Sequence, residues 1–85
     1  MTKTTQAKKN LRLSEKLVDY LMKHPKAVVN RPKHVSFIVF SSADEALNKE
    51  NEKLIDSVIA EGKKVIKAIQ TKDRKNPWKF SQVAY

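Results

Sequence analysis

From Ala7 to His24 the apolar positions recur with the period of a helix. Leu11, Leu13, Leu17, Val18, Tyr20, Leu21 and Met22 fall on one broad side, and Lys8, Lys9, Arg12, Lys16 and Lys23 cluster on the other. The pattern predicts an amphipathic helix over residues 7–24, with residues 1–6 as a flexible tail. His24-Pro25 ends it, because the residue before a proline is pushed out of the helical region. A basic connection, PKAVVNRPK, follows. Residues 34–40 are then β-branched and aromatic with Ser36 as their one small polar position, which suits a strand covered on both faces, hence central or parallel. From residue 43 the period returns to that of a helix. Leu47, Leu54, Ile55, Val58 and Ile59 make its inner side and Gly62 closes it at residue 61 with a left-handed C-cap. KVIKAIQ, residues 64–70, reads as a second strand, and residues 78–84 alternate weakly, as an edge strand would.

Read in order, these elements form a small α/β domain, bordering on α+β, with the layout αβαβ(β) over residues 7–85. A strand, helix and strand at this spacing fit a parallel β-α-β unit, and two helices pack on the small sheet. The chain has 85 residues, enough for one domain with one modest core.

Three segments carry a further signal: KNLRLSEKLVDYLMKHP, VSFIVFSSAD and NEKLIDSVIAEGKKVI. Together, over about residues 9–68, they resemble a family of small single-domain α/β proteins known only as a domain of unknown function. The shared pattern is a helix with Asn and a Tyr-Leu-x-x-His-Pro end, a strand ending in Val-Phe, an acidic turn, and a helix with Asn closing at Glu-Gly-Lys. The resemblance implies the small α/β fold and carries no catalytic residues. Members of that family have an acidic or apolar segment after His-Pro, whereas this chain is basic from Lys26 to Lys33, and its residues from Thr71 onward are its own.

Charge changes the picture more than composition does. The net charge is +9, unevenly spread: residues 1–34 carry +7, residues 35–62 carry −4 and residues 63–85 carry +6. A basic head and tail around an acidic middle point to an acidic partner. Lys9, Arg12, Lys16 and Lys23 line one side of the first helix, and Lys26, Arg31 and Lys33 continue past the proline. Lys72, Arg74, Lys75 and Lys79 form a second cluster, beside Trp78 and Phe80. Basic residues interleaved with aromatics suit phosphate contact and base stacking. Lysines outnumber arginines 15 to 3, which favours sequence-independent nucleic-acid contact over base reading. The same surface is equally read as a solvated, lysine-rich face.

The competing reading is contact with protein, either a hetero-partner or self-association, where a homodimer through the sheet edge or the first helix would bury apolar surface. The edge-like segment offers Trp78, Phe80, Val83 and Tyr85 as anchors for a partner, although Trp78 also suits this chain's own core.

Ser42-Ala43-Asp44-Glu45 has the spacing of a capping box, with Ser42 as cap and Glu45 closing it. The same strand-to-helix turn is where a phosphate or small ligand would bind, but the turn lacks glycine and holds two acids. Asn10 and Asn51 lie on apolar faces, as buried amides bonded to backbone or to the other helix would. Ser42, His34 and Asp44 do not make a credible triad, since the glycines of a nucleophile elbow are missing. No metal-ligand spacing is found and no cofactor is implied. Cysteine is absent, which excludes disulfides and thiolate chemistry and fits a reducing compartment. The first residues lack the apolar stretch of a secretory signal, and no run is long enough to span a membrane. The expectation is a cytoplasmic, non-enzymatic binding domain without metal, cofactor or membrane contact.

Overall fold

The computed structural model describes residues 1–28 and 35–84. Helix α1 runs Lys3–Lys23, a short 3-10 turn covers Pro25–Val28, and strand β1 covers Val35–Phe40. Helix α2 is Glu45–Ala60, β2 is Lys64–Gln70 and β3 is Trp78–Ala84. The sheet order is β1-β2-β3, with β1 and β2 parallel and β2 and β3 antiparallel. The small α/β domain is therefore present, and the third strand completes a mixed sheet.

The strand that lies in the middle is β2. The expectation that the Val35–Phe40 segment is covered on both sides along its length holds only for Val39 and Phe40, because β1 is an edge strand. Val65, Ile66 and Ala68 of β2 are fully buried instead, as a strand with neighbours on both sides requires.

Two clusters form the core on opposite sides of the pleat. Phe37 and Val39 of β1, Ala68 of β2, and Trp78 and Phe80 of β3 share one face through the registers Val39↔Ala68 and Ala68↔Phe80. Leu13, Leu17, Tyr20 and Leu21 of α1 cover that face, and Leu47 reaches into it from α2. Phe80 meets the Phe37 ring edge-on at 6.2 Å and Tyr20 at 6.3 Å, within the range that aromatic pairs favour. Ile38, Phe40, Val65 and Ile69 face the other way, against Ile55 and Val58 of α2.

Two boundaries differ from the sequence reading. Residues 3–6 are helical rather than tail, because Thr2 caps α1: its hydroxyl oxygen accepts the Thr5 N–H at 3.1 Å. The cap of α2 is Asp44, whose Oδ1 accepts the Leu47 N–H at 3.0 Å. Ser42 lies two residues too early and is exposed, and Glu45 is the first helical residue, so the expected Ser42–Glu45 capping box does not form. The carboxylate three residues before Leu47 has the reach that the serine lacks.

At the other end of α2, Gly62 has φ +80°. The Lys63 N–H donates to the Val58 carbonyl at 3.2 Å and the Gly62 N–H to Ile59 at 2.9 Å. These are the paired bonds of a Schellman cap, and the positive φ is why glycine stands there.

Candidate partner-binding surfaces

The joint between β1 and α2 is held by three side chains from distant parts of the chain. Asn51 is completely buried. Its Nδ2 donates to the Val39 carbonyl at 2.8 Å and to Asn10 Oδ1 at 2.8 Å. Its Oδ1 accepts from Asn10 Nδ2 and from Gln6 Nε2, both at 3.0 Å. Two donated and two accepted bonds use the full capacity of the amide. Asn51 thus ties α2 to α1 and to the backbone of edge strand β1, leaving no polar atom over for a ligand.

Beside it, Lys9 Nζ meets Asp44 Oδ2 at 2.7 Å. The lysine and the Leu47 N–H hold the Asp44 carboxyl below its ordinary range, against a small opposing effect of burial. Asn48 closes the turn by accepting from the Ser41 N–H and donating to the Ser41 carbonyl, each at 2.8 Å. The place where a phosphate would meet this helix terminus is occupied by the protein's own carboxylate.

Lys9 therefore leaves the basic stripe: it points at α2, whereas Arg12, Lys16, Lys23 and Lys26 are exposed. Arg31, Lys33 and Tyr85 lie outside the described residues. Lys72, Arg74, Lys75 and Lys79 are also exposed and form no ion pair among the described residues. The loop that carries three of them is braced from within. Thr71 Oγ1 donates to the Asn76 carbonyl at 2.6 Å, the Thr71 N–H to the Pro77 carbonyl at 2.7 Å, and the Lys75 N–H to Asp73 Oδ1 at 2.9 Å.

The aromatic half of that cluster packs into the core. Trp78 is only 6% exposed and packs with Leu13, Leu17 and Val39; Phe80 is half-buried between Tyr20 and Phe37. A small sheet uses their area for its own core. Of the segment, Val83 stays exposed.

A further apolar surface lies on α1. Leu11, Val18 and Met22, which belong to the broad apolar side, are 61%, 53% and 76% exposed. That side spans about 200° of the helix at 100° per residue, wider than the stripe of about 100° that a globular helix normally turns to a core. The width was the available signal. Leu13, Leu17, Tyr20 and Leu21 fill the contact with the sheet, and the remaining apolar residues form an outer row. A shallow groove of about 470 Å³ follows that row, lined by Leu11, Ser14, Glu15, Val18 and Asp19.

A second groove, of about 420 Å³, lies between α2 and the sheet, with Phe40, Asn48, Glu52 and Lys67 among its walls. Lys67 crosses it to Glu52 at 3.1 Å and sits 4.8 Å above the Phe40 ring. Its ammonium is thus paired, while Glu45 and Lys49 line the same groove.

Among the described residues, no three of His, Cys, Asp and Glu come together as a metal would need. No described helix is long and apolar enough to cross a membrane. Neither a curated protein nor a solved structure matches the chain. The model of one family of unknown function, DUF5647, matches residues 5–79, from the first turn of α1 to the start of β3, and the chain belongs to that family.

Proposed function

We propose that this domain is a non-enzymatic binding module that works through protein contact, and that its docking surface is the outer side of α1. The observation that carries this is the row Leu11, Val18 and Met22, exposed along a helix whose other side already closes the core. Apolar residues gathered in one row, rimmed by charged ones, mark an interaction site more than the same residues scattered singly would. A benzophenone side chain placed at Val18 and irradiated in cells that express the chain tests it. The expected result is a discrete, nuclease-resistant protein adduct that disappears with Leu11→Ser. An adduct no stronger than one from the exposed position Lys49 overturns the reading.

A second reading, non-specific nucleic-acid binding, rests on Lys72, Arg74 and Lys75 held out on a braced loop without carboxylate partners among the described residues. With Trp78 and Phe80 committed to the core, phosphate contact remains and base stacking does not. Binding would then fall steeply with salt, by a log–log slope of about −0.9 per phosphate contacted on duplex DNA. Fluorescence anisotropy at two salt concentrations decides it: salt-independent or undetectable binding removes the reading.

A further inference from the structure

The outer row of α1 has a charge order of its own. Along the 21-residue helix, Lys8 and Arg12 flank the row in the N-terminal half, and Lys23 flanks it only in the last turn, beside Met22. The carboxylates that border it, Glu15 and Asp19, lie in the C-terminal half. Leu11 and Val18 are placed symmetrically about Ser14 and Glu15. A row with apolar symmetry and opposite charges in its two halves is complementary to itself when turned end for end.

We propose that the occupant of this surface is a second copy of the chain, docked α1 against α1′ in an antiparallel, two-fold arrangement centred near Ser14. The proposal rests on the reading of the α1 outer side as a docking surface. About such an axis Leu11 packs on Val18 of the other copy, Arg12 faces the other copy's Glu15, and Lys8 faces its Asp19. Each contact occurs twice, as an isologous interface demands. The helix dipoles run in opposition, which adds to the preference for this orientation.

Self-contact through the outer edge of β3 is blunted. Lys79 stands on that strand, and the register breaks between Val65 and Ile66 opposite its end. An edge lysine and a bulge are the devices by which sheets avoid pairing with other chains.

A single helix face is a small interface, below about 1,200 Å² in total, so a reversible dimer with dissociation on the order of 10 µM is expected. Sedimentation equilibrium of the purified full chain reads it directly, and twice the 9.8 kDa chain mass is the expected species. A chain that stays monomeric at about 500 µM, well above that constant, overturns the proposal. In that case an adduct of another mass from the Val18 crosslink preserves the docking surface and assigns it to a different protein. No adduct removes both.

Val18→Glu should weaken the dimer at least about tenfold. Arg12→Glu should weaken it severalfold, and the double exchange Arg12→Glu with Glu15→Arg should restore it. All three positions are exposed, and circular dichroism melts close to that of the parent confirm that folding is intact. A dimer indifferent to Val18→Glu lies elsewhere and overturns the proposal.

Orientation has its own test, since the chain has no cysteine of its own. Ser14→Cys should form a disulfide between copies under mild oxidation. Lys8→Cys should not, because the two sites are about 20 Å apart across the antiparallel axis at 1.5 Å of rise per residue. Equal cross-linking from both positions indicates a parallel pair and overturns the antiparallel assignment.

Discussion

The inner and outer sides of α1 carry similar residues and different fates. Leu13 and Leu17 inside are buried against Val39, Ala68 and Trp78; Leu11 and Val18 outside, of the same chemical kind, are in water. Lys9 inside is paired with Asp44, whereas Lys8 and Arg12 outside are exposed. An apolar or basic residue on an amphipathic helix acquires its role from what lies opposite. A three-stranded sheet has room for one stripe of the helix and no more, so the rest of its apolar side is left for another surface.

The sharpest break of the comparison is one truncation on each side. Leu17→Ala should cost about 3 kcal/mol, as buried leucines do, while Leu11→Ala should change stability by less than about 0.5 kcal/mol. Urea unfolding of the two variants, at a concentration where the chain is monomeric, measures the contrast. A domain of this size holds only about 4–13 kcal/mol in all, so the first variant should be visibly destabilised. Equal effects would mean that the outer row is covered in the isolated chain.

Polar residues on the inner side can be broken next. Asn51→Ala should cost about 2–3 kcal/mol, because it strands the Asn10 amide and the Val39 carbonyl without their partner. Asn10→Ala combined with it should cost less than the two single losses added together, since both act on one network. Additive losses in a thermal or urea series would show that the two amides do not share their bonds.

Smaller effects sharpen the view of the β1–α2 joint. Asp44 ionises more readily in the folded chain than in the unfolded one, whose value is 3.8. The unfolded state therefore takes up the proton first as pH falls. The stabilisation from Asp44 is complete above about pH 4 and fades as pH drops from there through its lower folded value. Lys9→Met should reduce that acid dependence while leaving the cap on Leu47 in place, and urea midpoints at pH 3 and pH 6 compare the two. Gly62→Ala should cost about 1 kcal/mol through its φ of +80° alone, because nothing lies within 4 Å of an added Cβ. A larger loss would mean a steric clash at that cap.

Much of this fold was legible in the sequence. Gly62, the parallel unit and the three strands follow from period, branching and a single glycine, all local properties of the chain. Asn10 and Asn51 were legible as amides on apolar faces. Three features were not legible, for different reasons. The cap moved from Ser42 to Asp44 because both residues can cap and only the turn's path, pinned by Asn48 to Ser41, chooses between them. Helix α1 begins at Lys3 because Thr2 caps it and Gln6 bonds to a residue 45 positions away. Trp78 read both as a surface anchor and as a core residue, and Phe80 as an anchor, and only the register with Ala68, which turns both toward α1, chooses between the two.

The order of helices and strands, the left-handed cap and the charge pattern were written in short stretches of the chain, where neighbouring residues suffice to set backbone preference. Which strand lies in the middle, which lysine is paired and which leucines meet water depended on contacts between segments far apart in sequence. Burial is a property of a pair of surfaces, and periodicity describes only one of them. The α1 helix offers about 200° of apolar side, and the width of a three-stranded sheet decided how much of it was covered.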